Sequence, residues 1–352
     1  MGGLKSRELI VMAGVGVATL IAGVAHYSGW EPLLAFSVAT VALAGLAWIV
    51  SFATEQVGER LGPAATGVLQ STLGNLPEFF VVVFALSAGK TVVAQTSIVG
   101  SILANALLVL GLCIIAGALV GEGRVMRFHP RLPNDTATLL QLSVFIIALV
   151  GIALTTHEGA AGHLTAVSVV AAICLLVVYV AWLVPYIRSG GDHAATIAPR
   201  VGVPLAAVLL LAAGAGAAFV SEWFVDALTP AMDALGVSEA FAGLVIVAIA
   251  GNAVENAVGV VLAAKGQSDL AISVVKNSVA QISTFLFPAL VLVSLFFSTT
   301  LTFALSPLLI AALVVTALAV WQITGDGEAA IFEGLALIAL YVGVATIEIF
   351  AA

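Results

Sequence analysis

Gly74-Asn75-Leu76-Pro77-Glu78 and Gly251-Asn252-Ala253-Val254-Glu255 both read G-N-x-x-E, and they lie 177 positions apart in a chain of 352 residues. Each stretch sets one carboxylate inside an apolar segment. An ionisable side chain at membrane depth costs about 2.5–3.5 kcal/mol on insertion scales. A hydrogen bond between helices needs no carboxylate. Two buried glutamates in the same local sequence, at matched places, therefore mark a site, and Glu78 and Glu255 are its first candidates.

Around these stretches, apolar runs of about 20 residues follow one another almost without gap. The chain is 62% hydrophobic and 9% charged, against about 25% charged in a soluble domain. This predicts an all-α polytopic membrane protein of eleven transmembrane helices, over residues 8–26, 32–54, 63–88, 92–120, 136–156, 163–187, 202–225, 237–264, 268–297, 301–322 and 328–350. The first follows Lys5 and Arg7 as a signal peptide would, and is read as a retained helix. The partner this composition implies is the lipid bilayer; with no basic patch, nucleic acid is excluded. Cys113 and Cys174 lie in apolar spans and read as buried, inert thiols.

With the N-terminus inside, the inner segments hold Lys5, Arg7, Arg60, Arg124, Arg127, Arg131, Arg188, Arg200 and Lys265, while the outer ones hold Lys90 alone. Lys276 falls within a span. Basic residues stay on the cytoplasmic side, so the N-terminus is expected in the cytoplasm and the C-terminus outside. No organelle-targeting extension is visible, which points to a prokaryotic cell membrane.

The repeat extends beyond the two motifs. Phe52-Ala53-Thr54-Glu55 matches Phe219-Val220-Ser221-Glu222, each closing the helix before a motif helix. The second pair is spaced further apart by a longer loop expected around Asp226, Pro230 and Asp233. Gly100-Ser101 pairs with Asn277-Ser278, both 23 positions past their glutamates. Spans 2–6 and 7–11 thus read as two copies of five helices. An odd number per copy makes the second enter from the opposite side, the inverted-repeat plan of secondary transporters. The chain divides into an N-terminal helix (1–30), a first repeat (31–187), a loop (188–200) and a second repeat (201–352). The loop reads as a flexible linker, with a regulatory role as the alternative.

On the third span, Ser71, Asn75 and Glu78 share one helix face. Pro77 cannot donate to the carbonyl of Leu73, which frees an oxygen beside a carboxylate and an amide. Such hard oxygens are what Ca²⁺ takes at about 2.3–2.6 Å. On the eighth span Asn252, Glu255 and Asn256 share a face, but Val254 replaces the proline, so less bending is expected there. Alternatively, Gly74 and Gly251 set the bend in both. The fourth span adds Ser97, Ser101 and Asn105; the ninth adds Asn277, Ser278 and Gln281, with Lys276 beside them. Ser, Asn and Gln also join membrane helices by hydrogen bonds of about 0.6–2 kcal/mol, so Ser71, Ser97 and Asn256 have that reading too. Glu55 and Glu222 are either interfacial caps or mouth residues that gather cations. Lys276 either snorkels to the inner surface or pairs with Glu255. All five histidines lie at span ends or in loops, which argues against a zinc site. No span interior holds an aspartate, which removes the usual intramembrane proteases and ATP-driven pumps. No resident cofactor is expected.

The paired motifs resemble the cation/Ca²⁺ exchanger superfamily, and within it the proton-coupled Ca²⁺/H⁺ antiporter (CAX) branch. Ala53-Thr54-Glu55-Gln56, Gly74 to Glu78 and Gly100-Ser101 are similar to that branch's first repeat. Gly251 to Glu255 and Ser278-Val279-Ala280-Gln281-Ile282 are similar to its second. The resemblance covers spans 2–11 and implies that Glu78 and Glu255 carry Ca²⁺ and H⁺ in turn. Sodium-coupled relatives usually place a hydroxyl pair before the P-E; Gly74-Asn75 and Gly251-Asn252 stand there instead, which favours protons. Two features depart from the branch: Lys276-Asn277, where small residues are usual, and the lack of a long acidic stretch between repeats. The implied function is Ca²⁺/H⁺ antiport, not an enzyme activity. Na⁺/Ca²⁺ exchange is the near rival, and a cation channel is the rival of a different class.

Overall fold

The computed structural model describes residues 3–58, 72–156, 159–188 and 200–350, with only the backbone at 58 and 254–256. Ser71, Arg60, the loop core 189–199 and the side chains of Glu255 and Asn256 lie outside the described residues. Helices account for nearly everything else. They are α1 (Ser6–Tyr27), α2 (Pro32–Gly58), α3 (Leu76–Ser87), α4 (Thr91–Val120), α5 (Arg131–Thr155) and α6 (Leu164–Arg188). After these come α7 (Val203–Leu235), α8 (Glu239–Gly251), α9 (Ala253–Ala264), α10 (Ser268–Ser294), α11 (Pro307–Thr324) and α12 (Ile331–Phe350). Two short strands, β1 (Val125–Arg127) and β2 (Glu328–Ala330), pair antiparallel with Arg127 opposite Glu328. Among the described residues nine helices are long and apolar enough to cross a membrane, while α3 and α8 are shorter apolar helices. The apolar windows of α4 and α10 are 83% and 78% buried against 17% for α1, so α4 and α10 form the centre and α1 the rim.

Among the described residues, the following contacts near the helix ends join segments that strict alternation of the spans puts on the same side. At one end the two strands are closed by an Arg127–Glu328 ion pair of 3.0 Å, and the His129 N–H donates to Asp269 Oδ1 at 2.7 Å. The start of α1 meets the approach to α7 through Glu8 and Arg200, 2.9 Å apart. Gln56, near the end of α2, accepts from the Arg200 and Val201 N–H groups. At the other end Lys90 Nζ donates to the Val225 carbonyl at 3.1 Å, and Thr299 Oγ1 to that of Leu86 at 3.1 Å.

Two expectations about these elements are corrected. The loop foreseen around Asp226, Pro230 and Asp233 is helix, for α7 runs through to Leu235. Pro230 costs that helix its bond to the carbonyl of Asp226, and the Lys90 ammonium supplies a donor from outside to the adjoining carbonyl. Cys174, read as buried, lies exposed on α6, while Cys113 is buried as expected.

The centre depends on close backbone approach. α4 crosses α8 at Gly100, where a Cβ would run into the Leu244 carbonyl, and at Gly243, where one would run into Thr96 Oγ1. Small residues let membrane helices touch in this way. Gly100→Ala is expected to drive the crossing apart, at a cost of roughly 1–3 kcal/mol or more because a backbone carbonyl cannot step aside. Gly14→Ala, with nothing within 4 Å of the added methyl, should be neutral. Thermal unfolding of both variants in detergent checks this pair.

Candidate cation-binding site

Both motif helices break at their asparagine. Asn75 takes φ −81° and ψ 5° ahead of α3, and Asn252 takes φ −99° and ψ 7° between α8 and α9. The breaks match although only the first copy has proline, which corrects the expectation that the second would bend less. The cause at Asn252 is its own side chain. Nδ2 donates to the Ala248 carbonyl at 3.0 Å, the same oxygen its backbone N–H reaches at 3.3 Å, and this competition ends the helix. Pro77 sits in the first turn of α3, where an N–H would have no helical acceptor anyway. Leu73 stands half-buried just before the first break.

The break places Glu78 in the first turn of α3, at the positive end of the helix dipole. Its side chain is 7% exposed. Glu78 Oε1 accepts two short hydrogen bonds, from Ser101 Oγ on α4 and from Asn252 Nδ2 at the end of α8. Asn252 Nδ2 also lies 3.0 Å from Ser101 Oγ, so the three polar groups form one cluster. Gly251 makes room for it: a Cβ there would stand 2.9 Å from Glu78 Cγ. A cavity opens beside the carboxylate, walled by Val81 and Val82 of α3, Ser97 and Ile98 of α4, Val247 and Gly251 of α8, and Leu286 of α10. Carboxylate, hydroxyl and amide oxygens are hard ligands that suit a divalent cation. A proton binds the same carboxylate.

With this geometry in place, comparison with known proteins decides the family. Residues 31–187 and 205–350 match the family described as "Sodium/calcium exchanger protein". The chain belongs to the sodium/calcium exchanger protein family. It is 31% identical to the Ca²⁺/H⁺ antiporter ChaA of Bacillus subtilis (strain 168), over 96% of this chain and 97% of the relative. It is 30% identical to the vacuolar calcium ion transporter of Schizosaccharomyces pombe, over 95% and 82%. The solved structure of native YfkE superposes with a TM-score of 0.81 at 29% identity, covering 97% of this chain and 99% of that one. An H⁺/Ca²⁺ exchanger CAX structure, at 15% identity and a TM-score of 0.74, shares the fold.

The other residues expected in this exchanger's site fall into separate places. Asn105 Nδ2 turns back to the Ser101 carbonyl at 3.0 Å, inside a widened π-helical stretch of α4, Ala104–Val109. Ser278 and Gln281 are buried on α10, just ahead of a matching π stretch, Ile282–Leu286. Glu255 falls in the first turn of α9 as Glu78 does in α3. Glu55 is half-buried near the end of α2. Glu222, expected at a span end, is exposed well inside α7 because that helix continues for three more turns. The Glu255 side chain, one expected partner of Lys276, lies outside the described residues, and Lys276 does not snorkel to the inner surface. It is 2% exposed, and its ammonium meets Thr324 Oγ1 at 3.3 Å, at the C-terminus of α11. That is the negative end of a helix dipole, where a buried cation is favoured. Two groups escaped the sequence reading. Gln95, beside Thr96 and Ser97, and the buried Glu348, in an apolar run, have no repeat partner to draw attention to them.

Gly251→Ala tests the packing of the site without touching a ligand. The neighbour that must yield is the Glu78 side chain, not backbone, so folding should survive. Apparent Ca²⁺ affinity is expected to fall roughly tenfold, the effect of about 1.4 kcal/mol of lost ligation. Calorimetric titration of the purified variant measures it.

Proposed function

We propose that this chain is a secondary transporter that exchanges Ca²⁺ for H⁺ by alternating access. The observation that carries the reading is Glu78, a buried carboxylate at a helix break, held by Ser101 and by Asn252 from the other half of the chain. The names of its relatives agree with it, Ca²⁺/H⁺ antiporter in Bacillus subtilis and calcium ion transporter in Schizosaccharomyces pombe. The chain spans eleven times when the two broken spans are counted with the nine long ones, as one N-terminal helix and two inverted repeats, 31–187 and 201–352, joined by the loop 188–200. Matched breaks at Asn75 and Asn252 and matched π stretches in α4 and α10 support that division.

The chemistry follows from charge. Glu78 and Glu255 together carry two negative charges in a medium that penalises each of them. One Ca²⁺ or two protons neutralise the pair, and either loaded form can cross. The empty, doubly charged form cannot, so the two fluxes are coupled. Asn75, Asn252, Ser101, Asn105, Ser278, Gln281 and the Leu73 carbonyl are the oxygen donors assigned to the ion, and Glu55 and Glu222 the mouth residues. The membrane is assigned as that of a prokaryotic cell, with the N-terminus in the cytoplasm and the C-terminus outside.

Radiolabelled Ca²⁺ uptake into proteoliposomes, driven in turn by a pH gradient and by a Na⁺ gradient, tests the coupling. Uptake driven by the pH gradient alone is expected; dependence on Na⁺ would reassign the counter-ion, and flux with neither gradient would indicate a channel. Glu78→Gln and Glu255→Gln should each reduce exchange to background at unchanged expression, because glutamine neither takes a proton nor neutralises Ca²⁺. Half the parental rate in either variant would end the shared-site reading. For orientation, Arg127→Cys should react with an impermeant maleimide only from the cytoplasm and Asp233→Cys only from outside.

A further inference from the structure

Between α10 and α11 the chain runs from Leu295 to Ser306 with no helix of its own. Irregular backbone at the end of a membrane bundle has to find partners for its polar groups. Side chains from three helices supply them. Gln95 Nε2 on α4 donates to the carbonyls of Thr302 and Ala304, at 3.3 Å each. Ser168 Oγ on α6 accepts the Phe303 N–H at 3.1 Å, and Ser294 Oγ at the end of α10 accepts the Leu301 N–H at 2.8 Å. From the segment itself, Thr299 Oγ1 reaches the Leu86 carbonyl at the end of α3. Leu301, Phe303 and Leu305 are buried, while the residues between them are only half-buried. Such alternation belongs to an extended strand laid on a surface.

It is held about one turn beyond the walls of the Glu78 cavity. Val82, Ile98, Val247 and Leu286 line the cavity together with Glu78 and Ser101, and along α3 and α4 the chain runs on from Val82 and back from Ile98 to the turn that carries Lys90. One turn beyond Val82 is Leu86, and one turn beyond Ile98 is Gln95; both hold the segment. Leu286 adjoins Phe287, whose ring meets Phe303 edge-on at 4.8 Å. Three of the four walls are thus capped by the same stretch of chain.

We propose that Leu295–Ser306 is a lid across the ion path, latched shut by the side-chain amide of Gln95. This rests on reading the Glu78 cavity as that path. Gln95 touches no ion in this scheme and is a positioning residue: its two N–H bonds hold the lid over three walls at once. Losing them frees the Thr302 and Ala304 carbonyls to water and lets the segment lift from the mouth. The lid belongs to the end of the molecule that carries Lys90, so it controls access from one side only.

The test uses the full-length protein with Cys113→Ala and Cys174→Ala, and Val82→Cys as the reporter in the cavity. Gln95→Leu keeps the volume and removes both donors. Alkylation of the reporter by an impermeant maleimide, added at the lid end, is expected to accelerate about tenfold, as the loss of two ordinary hydrogen bonds would produce. Added at the opposite end, the reagent should react no faster than in the parent. A second arm joins Gln95→Cys to Ala304→Cys with a reducible bifunctional reagent; Ca²⁺ exchange should stop on tethering and return on reduction. An unchanged alkylation rate in Gln95→Leu, or exchange continuing through the tethered protein, overturns the lid. Should Gln95→Leu fail to fold, the tether decides alone. A parent that moves no Ca²⁺ under a pH gradient sinks the antiport reading instead, and the alkylation rates still judge the lid.

Discussion

A carboxylate in hydrocarbon has to be given donors, and much of this architecture follows from where Glu78 finds them. Ser101 and Asn252 both reach it. They come from helices far apart in sequence, so α4 and α8 must cross beside α3. The crossing is close enough that Gly100 and Gly243 have no room for a side chain. Gly251 then keeps the Glu78 stem clear of α8. Gly251 is read better as space left for a polar cluster than as a point of flexibility.

Much of this was legible from residues alone. The repeated G-N-x-x-E pointed to Glu78 and Asn252, which the fold brings together with Ser101, while the Glu255 side chain lies outside the described residues. Helix existence followed from apolar runs of membrane length. What misled was local chemistry with two readings. Pro77 looked like the cause of a bend, yet Asn252 breaks its helix equally without one, since an asparagine amide can capture its own helix's carbonyl. Asp226, Pro230 and Asp233 looked like a loop, yet a lysine brought from Lys90's distant turn supports that stretch as helix. Long-range partners of this kind leave no trace in a local window.

Lys276 and Gln95 show the same limit from the other direction. Each has polar neighbours in sequence, and neither is repeated in the other half. Lys276 stands at the C-terminus of α11, where the last carbonyls of a helix lack partners. Gln95 bonds to backbone that has left helical form altogether. Gln95 satisfies main-chain groups and Lys276 meets a side-chain hydroxyl, each at a place where a helix ends, a need created by tertiary structure. Composition registers that such residues exist. Only the packed chain says which groups they serve.

Placing the Glu78 donors on both halves of the chain has a thermodynamic consequence. Any relative movement of α3 and α4 against α8 changes the distance from Asn252 to the carboxylate, and with it the stability of the charged site. Conversely, an ion or a proton on Glu78 replaces or weakens the bonds from Ser101 and Asn252 and so biases that movement. Linkage of this kind is reciprocal: what the conformation does to ion affinity, the ion does to the conformation by the same free energy. A carboxylate held from one half alone would bind an ion with no leverage on the other half. Held from both, Glu78 makes occupancy and helix arrangement a single equilibrium, and alternating access requires that coupling.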